Sequence, residues 1–262
     1  MTQKIYQVDA FTDTLFGGNP AAVCPLDKWL SDAVMQNIAM ENNLSETAFY
    51  VKDGEQYQIR WFTPSVEVDL CGHATFAAAY VLFHHENYKG RVINFYSPRS
   101  GELIVTKEGD LLNLNFPADE VQQVELTQEL SDGFDIKPQS AFKGKTDYLL
   151  IFKNEEEIKN LNADIPKISK VNARGIIVTA KGDKVDFVSR FFGPRAGVDE
   201  DPVTGSAHTS LTPYWAKVLG KPQLSAIQLS QRKGHLQCHY LEDRVEISGK
   251  GKLYMKGHIS TV

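Results

Sequence analysis

The chain has 262 residues, of which 42% are hydrophobic and 23% are charged, and these ordinary proportions exclude a disordered or a fibrous protein. A net charge of −5 leaves no broad basic surface, so we expect no nucleic-acid partner and favour a small ligand. The three cysteines have no CxxC spacing and the N-terminus lacks the features of a secretory signal, which together predict a cytoplasmic protein without a disulfide framework.

Strand signals dominate the first half of the chain. Short alternating runs predict strands over residues 5–11, 57–62, 92–96, 103–107 and 111–116. Ser31 is a suitable N-cap for a helix over 31–42, and a second helix is predicted over 73–84. This second helix is apolar nearly all round, so we expect other structure to enclose it. Its apolar run has ten residues, fewer than the ~18 needed to span a bilayer, so no membrane partner is expected.

The second half repeats this mixture of strands and helices. Strands are predicted over 148–152, 175–180, 185–192, 226–231, 235–240 and 244–248, and helices over 127–133, 155–161 and 206–219. Most of the strands should form antiparallel hairpins, and Pro213 predicts a bend in the last helix. The polar stretch 117–126 is a candidate linker between an N-terminal lobe of residues 1–118 and a C-terminal lobe of residues 119–262. We expect the last residues to pack back on the first lobe.

The two halves carry an internal repeat. Residues 60–64 (RWFTP) match residues 190–194 (RFFGP) at an offset of 130, and Gly72 matches Gly205 at an offset of 133. A long-period repeat of one supersecondary unit indicates two similar lobes. The sequence therefore predicts that chemistry takes place where the two glycine turns face each other.

Each glycine turn lies between a predicted strand and the start of a predicted buried helix. Gly72 and Gly205 can adopt backbone angles that other residues avoid, and they allow a ligand to approach the chain closely. The free N–H groups of a helix's first turn also attract a carboxylate. The alternative is that each glycine serves only a tight turn, and the duplication favours the ligand site.

Side chains that can move protons lie near both turns. They are Glu46, Asp69 and His73 in the first half, and Asp199, Glu200, Asp201, Ser206 and His208 in the second. A carboxylate acts as a general acid and base where it reaches the substrate and an apolar setting raises its pKa. Several of these residues also have structural explanations. Glu46 suits a solvated or capping position, Asp69 and Asp199 suit turn formers, and His73 suits a helix cap.

Five blocks of the sequence resemble, in order, the signature blocks of the phenazine-biosynthesis PhzF-like family. They are residues 16–23 (FGGNPAAV), 43–49 (NLSETAF), 60–64 (RWFTP), 69–75 (DLCGHAT) and 200–208 (EDPVTGSAH). The resemblance spans almost the whole chain and is more specific than any single motif. It implies an α+β fold of the diaminopimelate-epimerase type. In that fold two pseudo-symmetric lobes each wrap a barrel-like, mostly antiparallel sheet around a central helix.

The resemblance also implies catalytic residues. In the family the glutamate of the second block is the acid and base, and this position is Glu46 here. His73 and Asp201 would assist it. The implied enzyme is an isomerase that moves a proton without a metal or an organic cofactor. All three residues are present in this sequence.

The resemblance further implies how a substrate is held. Ser206 and the backbone N–H groups after Gly72 and Gly205 would bind a small carboxylate-bearing substrate. The best-known member of the family isomerises a dihydro-hydroxyanthranilate, and members are typically homodimers. We therefore expect a homodimer that binds a small carboxylate.

Related epimerases use two thiols, one immediately before each glycine turn. Here those positions are Cys71 and Thr204. A threonine hydroxyl is too weak an acid or base to replace a thiolate unless a partner activates it. The two-thiol mechanism is therefore disfavoured, and Cys71 is best explained as a small buried apolar residue.

Three hypotheses remain open from the sequence. The first is a one-base isomerase that uses Glu46. The second is an amino-acid racemase or epimerase, which would require Cys71. The third is a ligand-binding or interaction protein that keeps the fold without turnover. Metal catalysis is a weaker fourth, because the histidines show no HExxH spacing.

Overall fold

The computed structural model describes residues 2–261. Its strands are β1 (Thr2–Ala10), β2 (Asn19–Leu26), β3 (Glu46–Asp53), β4 (Gln56–Phe62), β5 (Glu67–Val68), β6 (Val92–Ser97), β7 (Gly101–Glu108), β8 (Leu111–Pro117), β9 (Gln122–Val124), β10 (Ser140–Lys143), β11 (Asp147–Ile151), β12 (Gly175–Lys181), β13 (Phe187–Gly193), β14 (Val198–Asp201), β15 (Gln223–Gln228), β16 (Gly234–Leu241), β17 (Arg244–Gly249) and β18 (Gly251–Ser260). Its helices are α1 (Asp32–Asn42), α2 (Gly72–His85), α3 (Gln128–Ser131), α4 (Glu155–Asn160), α5 (Ile165–Ile168) and α6 (Gly205–Leu219).

The chain forms two compact units. The first unit runs to Asn115 and also includes the C-terminal stretch from Ser248 onward, and the second unit is Phe116–Ile247. The C-terminal stretch belongs to the first unit because β18 pairs antiparallel with β1 along nearly its whole length.

The first unit is a mixed sheet around one buried helix. β1 pairs antiparallel with β2, β2 parallel with β3, β3 antiparallel with β4, and β4 parallel with β6. Helix α2 packs against β1, β2, β3 and β18. Nine of its residues are buried, including Phe76 and Leu82, as expected for a helix with so few polar positions. The opposite side of the strands is covered by α1, whose Met35 and Ile38 join Phe49 and Phe62 in a core cluster.

The second unit has the same pairing pattern. β10 pairs antiparallel with β11, β11 parallel with β12, β12 antiparallel with β13, and β13 parallel with β15. Helix α6 packs against β11, β15 and β16, and α4 packs on β12 and β13. The repeat found in the sequence is therefore a repeat of strand order and helix position.

The repeated arginine and phenylalanine have the same contacts in both units. The Arg60 guanidinium donates two hydrogen bonds to the Glu67 carboxylate, at 2.7 and 2.8 Å, and Arg190 donates two to Glu200, at 2.7 and 2.9 Å. Each guanidinium also lies over the ring two positions later, Arg60 at 5.2 Å from the centroid of Phe62. These paired contacts fix the segment that precedes each glycine turn.

Several local predictions are confirmed. The Ser31 side chain caps α1 by accepting a hydrogen bond from the backbone N–H of Val34. Both buried helices begin one residue before their predicted starts, at Gly72 and Gly205. Helix α6 runs through Pro213 to Leu219, so the proline does not end it.

Other strands were missed by the local patterns. β2 contains Pro20 and Pro25, residues that normally argue against a strand. The predicted linker over 117–126 contains β9, which pairs antiparallel with β10. β18 was not predicted as a strand because much of it is polar and exposed, and its pairing with β1 defines it.

Candidate functional site

A buried acid–base pair lies at the start of α2 in the first unit. Glu46 is the first residue of β3, and His73 is the second residue of α2. The Glu46 Oε2 and His73 Nε2 atoms are 3.2 Å apart, and the side chains are 16% and 7% exposed. Neither atom makes a hydrogen bond of good geometry within residues 2–261, so both are oriented by the ion pair. The strand start and the helix start thus bring together two residues that are distant in sequence.

The two groups hold each other in their charged forms. Burial by itself raises the pKa of Glu46, but the charge of His73 and the close polar contacts with His73 and Cys71 lower it below its ordinary value. Burial likewise lowers the pKa of His73, but its neighbours Cys71 and Glu46 raise it well above its ordinary value. At neutral pH the pair is therefore a carboxylate facing an imidazolium.

Cys71 is the N-cap residue of α2 and lies beside the imidazole. Its Sγ atom is 3.5 Å from His73 Nδ1, and the Asn19 side-chain amide lies 3.3 Å from the same nitrogen. Burial raises the pKa of Cys71 to about 11, so the sulfur is a neutral thiol at neutral pH. Because this thiol is neutral, Glu46 is the anionic neighbour of His73 at neutral pH.

Glu46, Cys71 and His73 also form a cluster of possible metal ligands. One donor atom from each lies within 4.8 Å of the others. A cation would need Cys71 as a thiolate, whereas burial keeps it protonated. The charges of Glu46 and His73 already balance each other. These side chains therefore suit an acid–base pair better than a site for a cation. The sequence patterns missed this cluster because its members have no metal-ligand spacing.

In the second unit Asp201 belongs to a network with Thr204, the N-cap residue of α6. The Thr204 hydroxyl donates to Asp201 Oδ2 at 2.5 Å. The Gln228 side-chain amide donates to the Asp201 carbonyl oxygen at 2.7 Å and to Thr204 Oγ1 at 3.1 Å, while its oxygen accepts from the Thr204 N–H. Thr204, which occupies the second epimerase thiol position, therefore acts as a hydrogen-bond donor to Asp201. The sequence patterns gave no indication that Gln228 takes part in this network.

Ser206, the second residue of α6, is held by an arginine that the sequence patterns also missed. Arg174 Nη1 donates to Ser206 Oγ at 2.9 Å. Arg174 is itself fixed by the buried Asp147, to which Nε donates at 2.9 Å and Nη2 donates as well. Asp147 is 3% exposed and the Arg174 side chain is 37% exposed, so the carboxylate side of this bidentate contact is buried.

The glycines at the two helix starts are not there for unusual backbone angles. Within residues 2–261, neither Gly72 nor Gly205 has a positive φ, so that part of the prediction is wrong. A Cβ built on Gly205 meets no atom within 4 Å. The space beside Gly205 is open, so the surrounding atoms do not require a glycine at this position.

The remaining candidates lie elsewhere or have structural roles. The Asp69 side chain is 75% exposed and pairs with Arg99. His208 is buried and donates its Nδ1 hydrogen to the Thr204 carbonyl oxygen at 2.8 Å, and burial lowers its pKa to about 4. Glu200 is held by Arg190, as described above. The structure thus groups Glu46, Gly72 and His73 in the first unit, and Asp201, Gly205 and Ser206 in the second.

Comparisons with known proteins agree with this fold. A hydroxyproline epimerase from Agrobacterium vitis has a TM-score of 0.63 over 98% of this chain and 92% of its own, at 8% identity. This likeness shows the fold alone. The two units therefore have the pseudo-symmetric, epimerase-like α+β fold, each with a mostly antiparallel sheet around a central helix, as predicted.

Nearer relatives define the family. The sequence profile described as "Phenazine biosynthesis-like protein" matches residues 8–257. An "uncharacterized isomerase" of Pseudomonas aeruginosa is 52% identical over 257 residues, which is 98% of each chain. A crystal structure of a PhzF-family protein from Enterococcus faecalis is 47% identical, with a TM-score of 0.97 over 99% of this chain and 100% of that one. The chain belongs to the phenazine biosynthesis-like (PhzC–PhzF) family, and it is an enzyme of the isomerase class. Within residues 2–261, its helices are too short or too polar to cross a membrane.

Proposed function

We propose that this protein is a cofactor-independent isomerase that moves a proton by general acid–base catalysis on a small carboxylate-bearing substrate. The observation that carries the proposal is the buried ion pair of Glu46 and His73, with 3.2 Å between the facing atoms. One carboxylate that takes a proton from carbon and returns it to another carbon needs no second base. Glu46 has this role because it is buried and ionised before the reaction.

His73 supports the carboxylate in two ways. As an imidazolium it keeps Glu46 ionised, so the base is ready when the substrate binds. When Glu46 takes the proton it loses its charge, and the imidazolium is then available to stabilise negative charge developing on the substrate. His73 thus stabilises the Glu46 carboxylate before proton transfer and the negative charge on the substrate after it, and neither step requires a metal.

The second unit supplies residues for the substrate's polar groups. We assign Asp201 an assisting catalytic role, because its carboxylate is oriented by the hydroxyl of Thr204. Ser206 and the backbone N–H groups at Gly72 and Gly205 are assigned to binding of the substrate carboxylate. The expected cytoplasmic location and homodimeric assembly complete the proposal.

Solvent exchange tests the role of Glu46 directly. Candidate carboxylates, including dihydro-hydroxyanthranilate and trans-4-hydroxy-L-proline, are incubated with enzyme in D2O and followed by proton NMR. Loss of a general base costs typically 10²–10⁴-fold, so Glu46→Gln should slow deuterium uptake by about that factor. Asp69→Asn is the matched control, because Asp69 is an exposed acid of the same unit. Uptake at the unmutated rate in Glu46→Gln removes Glu46 from its role.

The rival racemase mechanism is separated by Cys71. A two-thiol enzyme loses activity by several orders of magnitude in Cys71→Ala, whereas the one-base mechanism retains most of it. The protonated state of Cys71 and the hydrogen-bonded hydroxyl of Thr204 favour the one-base mechanism. A silent binding protein would bind members of the same panel in calorimetric titrations but show no exchange with any of them.

A further inference from the structure

The register of the strands shows which residues of the two units correspond. Phe62 and Phe192 match in the sequence repeat. Thr47 pairs with Phe62 in the first unit, and Ile176 pairs with Phe192 in the second. Thr47 and Ile176 are therefore equivalent positions of the two repeats. By the same register, Glu46 is equivalent to Gly175 and Ser45 is equivalent to Arg174.

The helix starts correspond in the same way. Gly72 matches Gly205, so His73 and Ser206 are both the second residue of their helix. In the first unit His73 meets Glu46, at the start of β3. In the second unit Ser206 meets Arg174, immediately before β12. Arg174 is equivalent to Ser45, one residue before the equivalent of Glu46, so the start of each helix meets a charged side chain from the neighbouring strand start, in an acid–base pair in one unit and a guanidinium–hydroxyl pair in the other.

The chemistry of this second pair fixes the direction of its hydrogen bond. A guanidinium has donors but no acceptor, so Ser206 Oγ accepts the bond from Arg174 Nη1. Within residues 2–261 the Ser206 hydroxyl has no other hydrogen bond, and its own proton is left to be donated to a ligand. Asp147 holds the guanidinium through Nε and Nη2, which prevents Arg174 from turning away.

We propose that Arg174 is a positioning residue that orients the Ser206 hydroxyl as a donor and thereby makes the start of α6 select a carboxylate over a neutral ligand. This inference rests on the proposed function for the identity of the ligand group. It assigns the two repeated units different tasks: proton transfer in the first and carboxylate selection in the second. The guanidinium acts through Ser206 rather than by its net charge, because Asp147 already balances that charge.

Nuclear magnetic resonance with benzoate as the probe tests the proposal, and benzamide is its neutral analogue. In the unmutated protein, benzoate should shift the amide signals of Gly205, Ser206 and Ala207 in a saturable way, and benzamide should shift them much less. The main variant is Arg174→Lys, because Arg174→Ala would leave the buried Asp147 unpaired. A lysine can form an ion pair with Asp147, but it lacks the forked guanidinium that donates to Asp147 and Ser206 at the same time. Benzoate affinity should therefore fall by about 10-fold or more.

A double-mutant cycle separates positioning from direct contact. Ser206→Ala should weaken benzoate binding to a similar degree, and the double variant Arg174→Lys/Ser206→Ala should bind no worse than Ser206→Ala alone. Lys137→Ala is the control for loss of a surface cation in the same unit and should leave binding unchanged. Additive losses in the cycle, equal shifts by benzamide, or no benzoate shift at these amides would overturn the proposal.

The same titration distinguishes this inference from the proposed function. Glu46→Gln should still bind benzoate at Gly205, Ser206 and Ala207 even though it fails to exchange solvent deuterium. If Glu46→Gln exchanges normally while Arg174→Lys loses selectivity, the proton-transfer assignment fails and the carboxylate-selecting role of Arg174 stands. If exchange is lost in Glu46→Gln but Arg174→Lys keeps its selectivity, only the role of Arg174 fails.

Discussion

Replacing Glu46 by glutamine should lower the pKa of His73, and this change can be measured without a substrate. Two unit charges 3.2 Å apart attract by about 5 kcal/mol at an effective dielectric constant of 20. Burial of the imidazole opposes its charged form, whereas its neighbours Cys71 and Glu46 raise the pKa of His73 above its ordinary value. The amide of glutamine keeps the shape of the side chain and removes the charge, so the pKa of His73 loses the contribution of Glu46 while burial continues to oppose the charged ring.

The assay is a pH titration of the His73 ring nitrogens in selectively ¹⁵N-labelled protein. In the unmutated protein the ring should stay protonated well above pH 6.5, the ordinary value for histidine. In Glu46→Gln it should lose its proton at a clearly lower pH. Asp69→Asn, which removes an exposed acid of the same unit, should leave the titration unchanged. A His73 titration that is the same in Glu46→Gln and the unmutated protein would refute the ion pair as the source of the shift.

Three further measurements follow from the same structure. Because the pKa of Cys71 is raised to about 11, its alkylation by iodoacetamide should be slow at pH 7 and accelerate toward pH 11, and an inflection near pH 7 would contradict a neutral thiol. The pair of Glu46 and His73 should stabilise the fold most between pH 4.5 and 6.5, the ordinary values of the two groups. Its contribution is lost as pH falls through the lowered pKa of Glu46 and as pH rises through the raised pKa of His73, so urea unfolding should show a larger deficit of Glu46→Gln at pH 5.5 than at pH 9.5. Arg190→Ala should cost about 3 kcal/mol because it leaves a partly buried carboxylate unpaired. Lys137→Ala, at an exposed pair with Asp132, should cost clearly less, and equal losses would contradict the burial argument.

The duplication gives the two units one construction and different chemistry. In both units the second residue of a buried helix meets a side chain at or just before a strand start: His73 meets Glu46 in one unit, and Ser206 meets Arg174, one residue before β12, in the other. The repeated contacts of Arg60 with Glu67 and of Arg190 with Glu200 fix the segment before each helix in both units.

The sequence by itself determined the repeat, the two buried helices and the glycines at their starts, because these depend on residues close together along the chain. Because α2 is apolar nearly all round, its sequence predicted that other structure encloses the helix, but not which strands do so. The family resemblance supplied Glu46, His73, Asp201 and Ser206 as candidates.

Only the tertiary structure decided which of these side chains meet and in what charge state. Arg174 reaches Ser206 across 32 residues and Asp147 across 27, and nothing in the local pattern around Arg174 specifies either contact. The assignment of β9 to the second unit and β18 to the first likewise depends on strand pairing between distant segments. The physical reason is that periodicity and capping are set by neighbours in the chain, whereas burial, ion pairing and pKa values are set by neighbours in space.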